Sequence, residues 1–180
     1  MRVKPLMTVV VGLVVVLLDL RFGSGGRAFD LLPDPVGWIV VAVALGRLAH
    51  LHQGFRLGAV AAGIGALVSA PLWPGPDLLG ETAVWLGVLE GVIDLVVVVG
   101  TLSGVMAVLP RRAGSAHTLR TTYVVVAGVY ALLAVGGLVS TGLVVLALMA
   151  TLVNLVVTVI VLIFLGSVSS ETPDPAQISR

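Results

Sequence analysis

The chain has 180 residues, 58% of them hydrophobic and 11% charged, with a formal net charge of +1 from ten Lys and Arg against nine Asp and Glu. Its mean hydropathy is +1.17. A soluble domain carries about 25% charged residues, so this composition excludes a water-soluble enzyme, a nucleic-acid binder and a disordered chain. Cysteine is absent, which removes disulfides, thiolate metal sites and cysteine nucleophiles. The class expected is an all-α, polytopic transmembrane helical bundle.

A membrane-crossing helix needs about 20 mostly apolar residues, and six segments approach that in chain order. The first covers 5–20. Met1-Arg2-Val3-Lys4 ahead of it resembles the start of a signal peptide, but Arg21 follows Leu20 with no small-residue cleavage site, so an uncleaved helix is expected. The second covers 35–51, opened by Asp34 as a capping carboxylate and Pro35 at the first helical position. The third covers 56–73 and ends in the breaker-rich turn 74–77. The fourth covers 82–109, with Glu81 favouring its N-terminus. The stretch 122–166 would measure roughly 67 Å as one helix, too long for a ~30 Å hydrocarbon core. It is therefore divided into spans 122–139 and 142–166, with Gly136-Gly137 and Ser140-Thr141-Gly142 supplying the turn. Residues 1–166 read as a single six-helix domain and 167–180 as a mobile polar cytoplasmic tail. The Val-rich runs do not alternate with polar residues, which argues against membrane strands.

Orientation follows from the basic residues of the short connections. Six alternating spans place Arg2, Lys4, Arg47, Arg56, Arg111, Arg112, Arg120 and Arg180 on one side, and Arg21 and Arg27 on the other. Both termini are accordingly expected in the cytoplasm. Trp38, Trp73 and Trp85 are expected at the outer boundary, where indoles prefer to sit.

The block Asp30-Leu-Leu-Pro-Asp-Pro-Val-Gly37, opening the second helix after a Val/Leu-rich first one, resembles a pattern of small, uncharacterised bacterial multi-spanning membrane proteins. The likeness covers residues 29–48. It implies a multi-pass protein of a bacterial cytoplasmic membrane and carries over no catalytic residue.

Ionisable groups inside a span are costly and are the first functional candidates. Glu90 and Asp94 stand one turn apart on the fourth helix, on a stripe with Gly87, Gly91, Thr101 and Gly104. No Lys or Arg shares their depth, so Asp94 is expected to be protonated or cation-bound at neutral pH, unless Arg21 or Arg27 reaches inward to Glu90. A matching stripe on the sixth helix holds Ala147, Ala150, Thr151, Asn154 and Thr158, with Asn154 at the depth of Asp94. Thr8, Gly12 and Asp19 share a face of the first helix, and Asp19 at its outer end is a further candidate. Gly87-x-x-x-Gly91 and Gly100-x-x-x-Gly104 permit close helix contact. His50, His52 and His117 do not converge as zinc ligands, helix capping accounts for most of the outer acids, and no nucleophile–base arrangement is visible. No catalytic residue, metal or cofactor is expected.

Two readings remain. In the favoured one the protein is a non-catalytic membrane component whose partners are the bilayer and a second copy or another membrane protein, and whose carboxylates hold helices together. In the other it is a small proton- or cation-coupled transporter or channel-like protein with a path past Glu90 and Asp94. A dry helix contact favours the first, and a water-accessible cavity at Asp94 favours the second.

Overall fold

The computed structural model describes residues 4–18, 21–22, 29–30, 34–71, 81–139 and 144–171. Six α-helices appear among them: α1 Pro5–Leu17, α2 Asp34–Gly46, α3 Gln53–Ser69, α4 Glu81–Val108, α5 Ala113–Val139 and α6 Val144–Val168. Arg21–Phe22 (β1) and Phe29–Asp30 (β2) add a two-residue antiparallel bridge, with Arg21 opposite Asp30. The described fold is all-helical in every other respect.

Several helix limits differ from the hydropathy reading, each for a local reason. α3 begins at Gln53, three residues early, because the N–H of Gly54 donates to Nδ1 of His52 at 3.0 Å and caps the first turn. α5 begins at Ala113, well ahead of the apolar run, after the 3₁₀ turn Pro110–Arg112; its first turns bury Ala116 and leave polar neighbours outside. Gly136-Gly137 does not form the turn expected of it: α5 runs through to Val139, and α6 begins at Val144, while Ser140-Thr141-Gly142 lies outside the described residues. α6 continues past Gly166 to Val168, and Ser169 is buried, so 167–171 belong to the packed bundle rather than to a mobile tail. Residues 172–180 lie outside the described residues. Two helices, over Trp85–Val108 and Leu148–Val168, are long and apolar enough to cross a membrane. α1 and α2 are apolar but have 13 residues each, roughly 20 Å of helix.

The helices pack in chain order, α1 on α2, α2 on α3, α3 on α4, α4 on α5 and α5 on α6, and α6 returns to touch α1. Lys4 Nζ donates to the carbonyl of Ser170 at 2.7 Å, so the start of α1 and the end of α6 lie at the same end of the bundle. At that end Arg112 also pairs with Glu171 at 2.5 Å, tying the α4–α5 turn to the close of α6.

Glycine sets the closest seams. A Cβ on Gly100 would sit 2.6 Å from the carbonyl oxygen of Gly54, and one on Gly54 would sit 2.5 Å from that of Gly100. The backbones of α3 and α4 thus touch directly, an approach that only glycine allows. Gly12 of α1 and Gly37 of α2 face each other likewise, with carbonyl oxygens 2.8–2.9 Å from the positions their Cβ atoms would take. Gly87 and Gly91 have nothing within 4 Å of that position. Of the two glycine pairs on α4, Gly100 and Gly104 are in close contact and Gly87 and Gly91 are open.

The core between these seams is aliphatic and aromatic: Leu6, Val9, Trp38, Val41, Leu45, Phe55, Val97, Leu102, Tyr123 and Leu165 are all buried. Phe55 covers Gly104, whose absent side chain leaves room for the ring.

Candidate functional site

α4 has its buried face along Ile93, Val97, Val98, Thr101, Leu102 and Val105. Glu90 and Asp94 lie on the line of that face, and Asp94 sits at the middle of the helix. Each is gripped by an aromatic donor from another helix. Trp38 Nε1 of α2 donates to Glu90 Oε1 at 3.0 Å. The Tyr123 hydroxyl of α5 donates to Asp94 Oδ2. Both aromatic side chains are buried, Trp38 at 0% and Tyr123 at 1% exposure, while Glu90 and Asp94 are partly buried, so these bonds are partly shielded from competing solvent.

The network extends to α6. The Thr158 hydroxyl of α6 stands beside the Tyr123 phenol. Its single hydrogen goes to the Asn154 carbonyl, 2.9 Å away. The side-chain Oδ1 of Asn154 is buried with no hydrogen-bond partner among the described residues. Asp94 and Asn154 are thus both near the middle of their helices, but they do not meet directly. α6 packs chiefly on α5 and α1, and Tyr123 bridges the gap.

The other candidate residues divide. Thr101 is buried, but its hydroxyl donates to the Val97 carbonyl of its own helix at 2.7 Å and faces Gly58 of α3 rather than the carboxylates. Thr151 is exposed, while Ala150, Asn154 and Thr158 are partly buried, so only part of the α6 stripe turns inward. Asp19, Arg27 and Trp73 lie outside the described residues, as do the side chains of Arg21 and Ala147.

The two decisive donors escaped the sequence reading. Trp38 is not an interfacial anchor: it packs over Gly65 of α3 and points its N–H at Glu90. Trp85, 72% exposed, does face outward. The signal for Tyr123 was its place at the start of the apolar run, after Arg120-Thr121-Thr122, since a phenol there must find a partner when buried.

A groove of about 420 Å³ opens on the side of α4 that holds Val96, Val99, Gly100 and Ser103. At 100° per residue these side chains point away from Asp94, which is not in its lining. Among the described residues no group of three or more His, Asp and Glu converges on a point. Comparison with protein-family models, with curated proteins and with solved structures gives no match to the chain.

Proposed function

We propose that the protein is a six-span integral membrane component without catalytic activity, seated in a bacterial cytoplasmic membrane with both termini inside, whose carboxylates fasten helices to one another. The observation that carries this reading is the pair of aromatic donors: α4 is held to α2 through Glu90–Trp38 and to α5 through Asp94–Tyr123. Buried polar groups matched in this way fix register and orientation between helices that apolar surfaces alone leave free to slide. The meeting of Lys4 with Ser170 supports an even number of crossings, and the basic residues Lys4, Arg47, Arg56, Arg111, Arg112 and Arg120 belong to the helix ends and turns on that side.

A second reading has one observation in its favour. Asp94, Tyr123, Thr158 and the unpartnered Asn154 Oδ1 form a line of polar groups across the middle of three helices, and such a line suits proton or cation passage.

Proteoliposomes loaded with a pH-sensitive dye separate the two. With a proton gradient imposed, the structural role gives the same flux as protein-free vesicles for the wild type and for Asp94→Asn. An amide oxygen still accepts from Tyr123, so that variant also keeps its thermal stability, whereas Asp94→Leu loses it. Wild-type flux that Asp94→Asn abolishes would establish the coupled path instead.

A further inference from the structure

The face of α4 opposite the carboxylates carries the groove between α3 and α5. Its length along α4, from Leu95 to Ser103, covers nine residues, roughly 12 Å of helix. The floor is apolar, with Val96, Val99 and Gly100, and the walls are Leu57 of α3 and Val124 of α5. At Gly100 the backbone of α3 lies directly against α4 and closes that side of the groove. One end is polar instead: His52, Gln53 and Ser103 converge there. Arg120 of α5 reaches the same end, donating from Nη1 to Ser103 Oγ at 3.2 Å. Arg56 stands three residues beyond Gln53 on the exposed side of α3.

The charges at that end are unbalanced. Among the described residues neither Arg120 nor Arg56 pairs with a carboxylate, and the acid described nearby, Glu171, is taken by Arg112. Ser103 lies nine residues from Asp94, roughly 13 Å along the helix. That depth is close to the edge of a hydrocarbon core of about 30 Å, where headgroups begin. A slot open to the acyl region, closed at its headgroup end by unpaired guanidinium groups, a hydroxyl and an amide, has the chemistry of a lipid site. We infer that this groove holds one anionic glycerophospholipid of the inner leaflet, an acyl chain lying along Val96 and Val99 and the phosphate held by Arg120 with Ser103 and Gln53. The inference rests on the membrane reading above and adds a ligand to it. The guanidinium fork suits a phosphate geometrically, and the surrounding positive charge selects a headgroup of net negative charge.

The test uses the full chain purified in neutral detergent, titrated with phosphatidylglycerol or phosphatidylcholine and read by native mass spectrometry and thermal unfolding. The wild type is expected to retain phosphatidylglycerol and gain thermal stability from it, with little response to phosphatidylcholine. Arg120→Gln should weaken phosphatidylglycerol binding about tenfold, as loss of one charge-assisted contact implies. Val99→Phe, which fills the floor and leaves the basic rim intact, should abolish the bound lipid. Arg47→Gln, on the same side but outside the groove, should leave binding unchanged. Equal response to both lipids, or equal losses for Arg47→Gln and Arg120→Gln, would overturn the site, as would undiminished binding by Val99→Phe. Carbonate extraction of membranes keeps the two levels apart. A chain released by carbonate defeats the membrane reading and this site together, whereas a chain that stays inserted but binds without preference defeats the site alone.

Discussion

α4 and α6 are both long and apolar enough to cross a membrane, yet they occupy opposite stations in the bundle. In its most apolar stretch α4 is 44% buried, and α6 only 22%. The more apolar helix is the more exposed one, as Leu148, Met149, Leu152 and Ile163 show. Hydrophobicity places a helix in the bilayer but does not choose its neighbours, because lipid satisfies Leu and Val as well as protein does. Small and polar residues make that choice. α4 has Gly100 and Gly104 for α3 and Glu90 and Asp94 for α2 and α5, whereas α6 offers one partly buried amide and a threonine.

The sharpest way to break this contrast is to add volume at the α4 seam. Gly100→Leu is expected to destabilise by about 3 kcal/mol, at the upper end of overpacking costs, because the neighbour it meets is backbone and cannot step aside. Gly166→Ala on α6, with open space around it, should lose nothing and gain up to about 0.5 kcal/mol from helix propensity. Unfolding in detergent micelles reads both. Equal losses would show that the seam is not special.

Trp38→Phe removes the donor to Glu90 and opens a small void beside Gly65. A loss of about 2 kcal/mol is expected in the same assay. Tyr123→Phe keeps the ring and loses only the hydroxyl, so the expected loss is about 1 kcal/mol. In a double-mutant cycle with Asp94→Leu most of that loss should disappear, since the partner has already gone. Additive losses would mean that Tyr123 acts through something other than Asp94.

The smallest effect concerns the ion pair at the basic end. The hydrogen bond from Arg112 holds the Glu171 carboxyl below its ordinary value of 4.5. A lowered value in the folded state means that the contact contributes at neutral pH and fades as acid takes the pH below 4.5 and through the folded value. Both groups are well exposed and screened, so the contribution is slight. Glu171→Gln should remove this part of the acid dependence while leaving stability at pH 7 almost unchanged, and a pH series of unfolding midpoints checks it.

Much of the fold could be read from the chain because the bilayer imposes a simple rule: runs of apolar residues between breakers become helices. The limits moved where side chains rather than hydropathy decide them, as at His52, which caps α3, and at Gly136-Gly137, which a helix accommodates when nothing else forces a turn. The face of Glu90 and Asp94 was legible too, since a spacing of four fixes it. Their partners were not. Whether an indole turns to the boundary or to the core depends on what lies across the gap, and for Trp38 that was a carboxylate 52 residues away. The link from α4 to α6 was misplaced for the same reason. Periodicity set two polar stripes at equal height, but gave no sign that Tyr123 would stand between them.

The return of α6 to α1 has a consequence in time. Contacts between successive helices form as each emerges, but the Lys4–Ser170 contact spans 166 positions and cannot exist until Ser170 has been made. At about 5–20 residues per second, the face of α1 that α6 will cover waits on the order of 10 s for its partner. During that interval the nascent chain is an open arc with two unsatisfied flanks rather than a closed ring. Any product truncated before Val144 stays in that state, and only the arrival of α6 closes the ring.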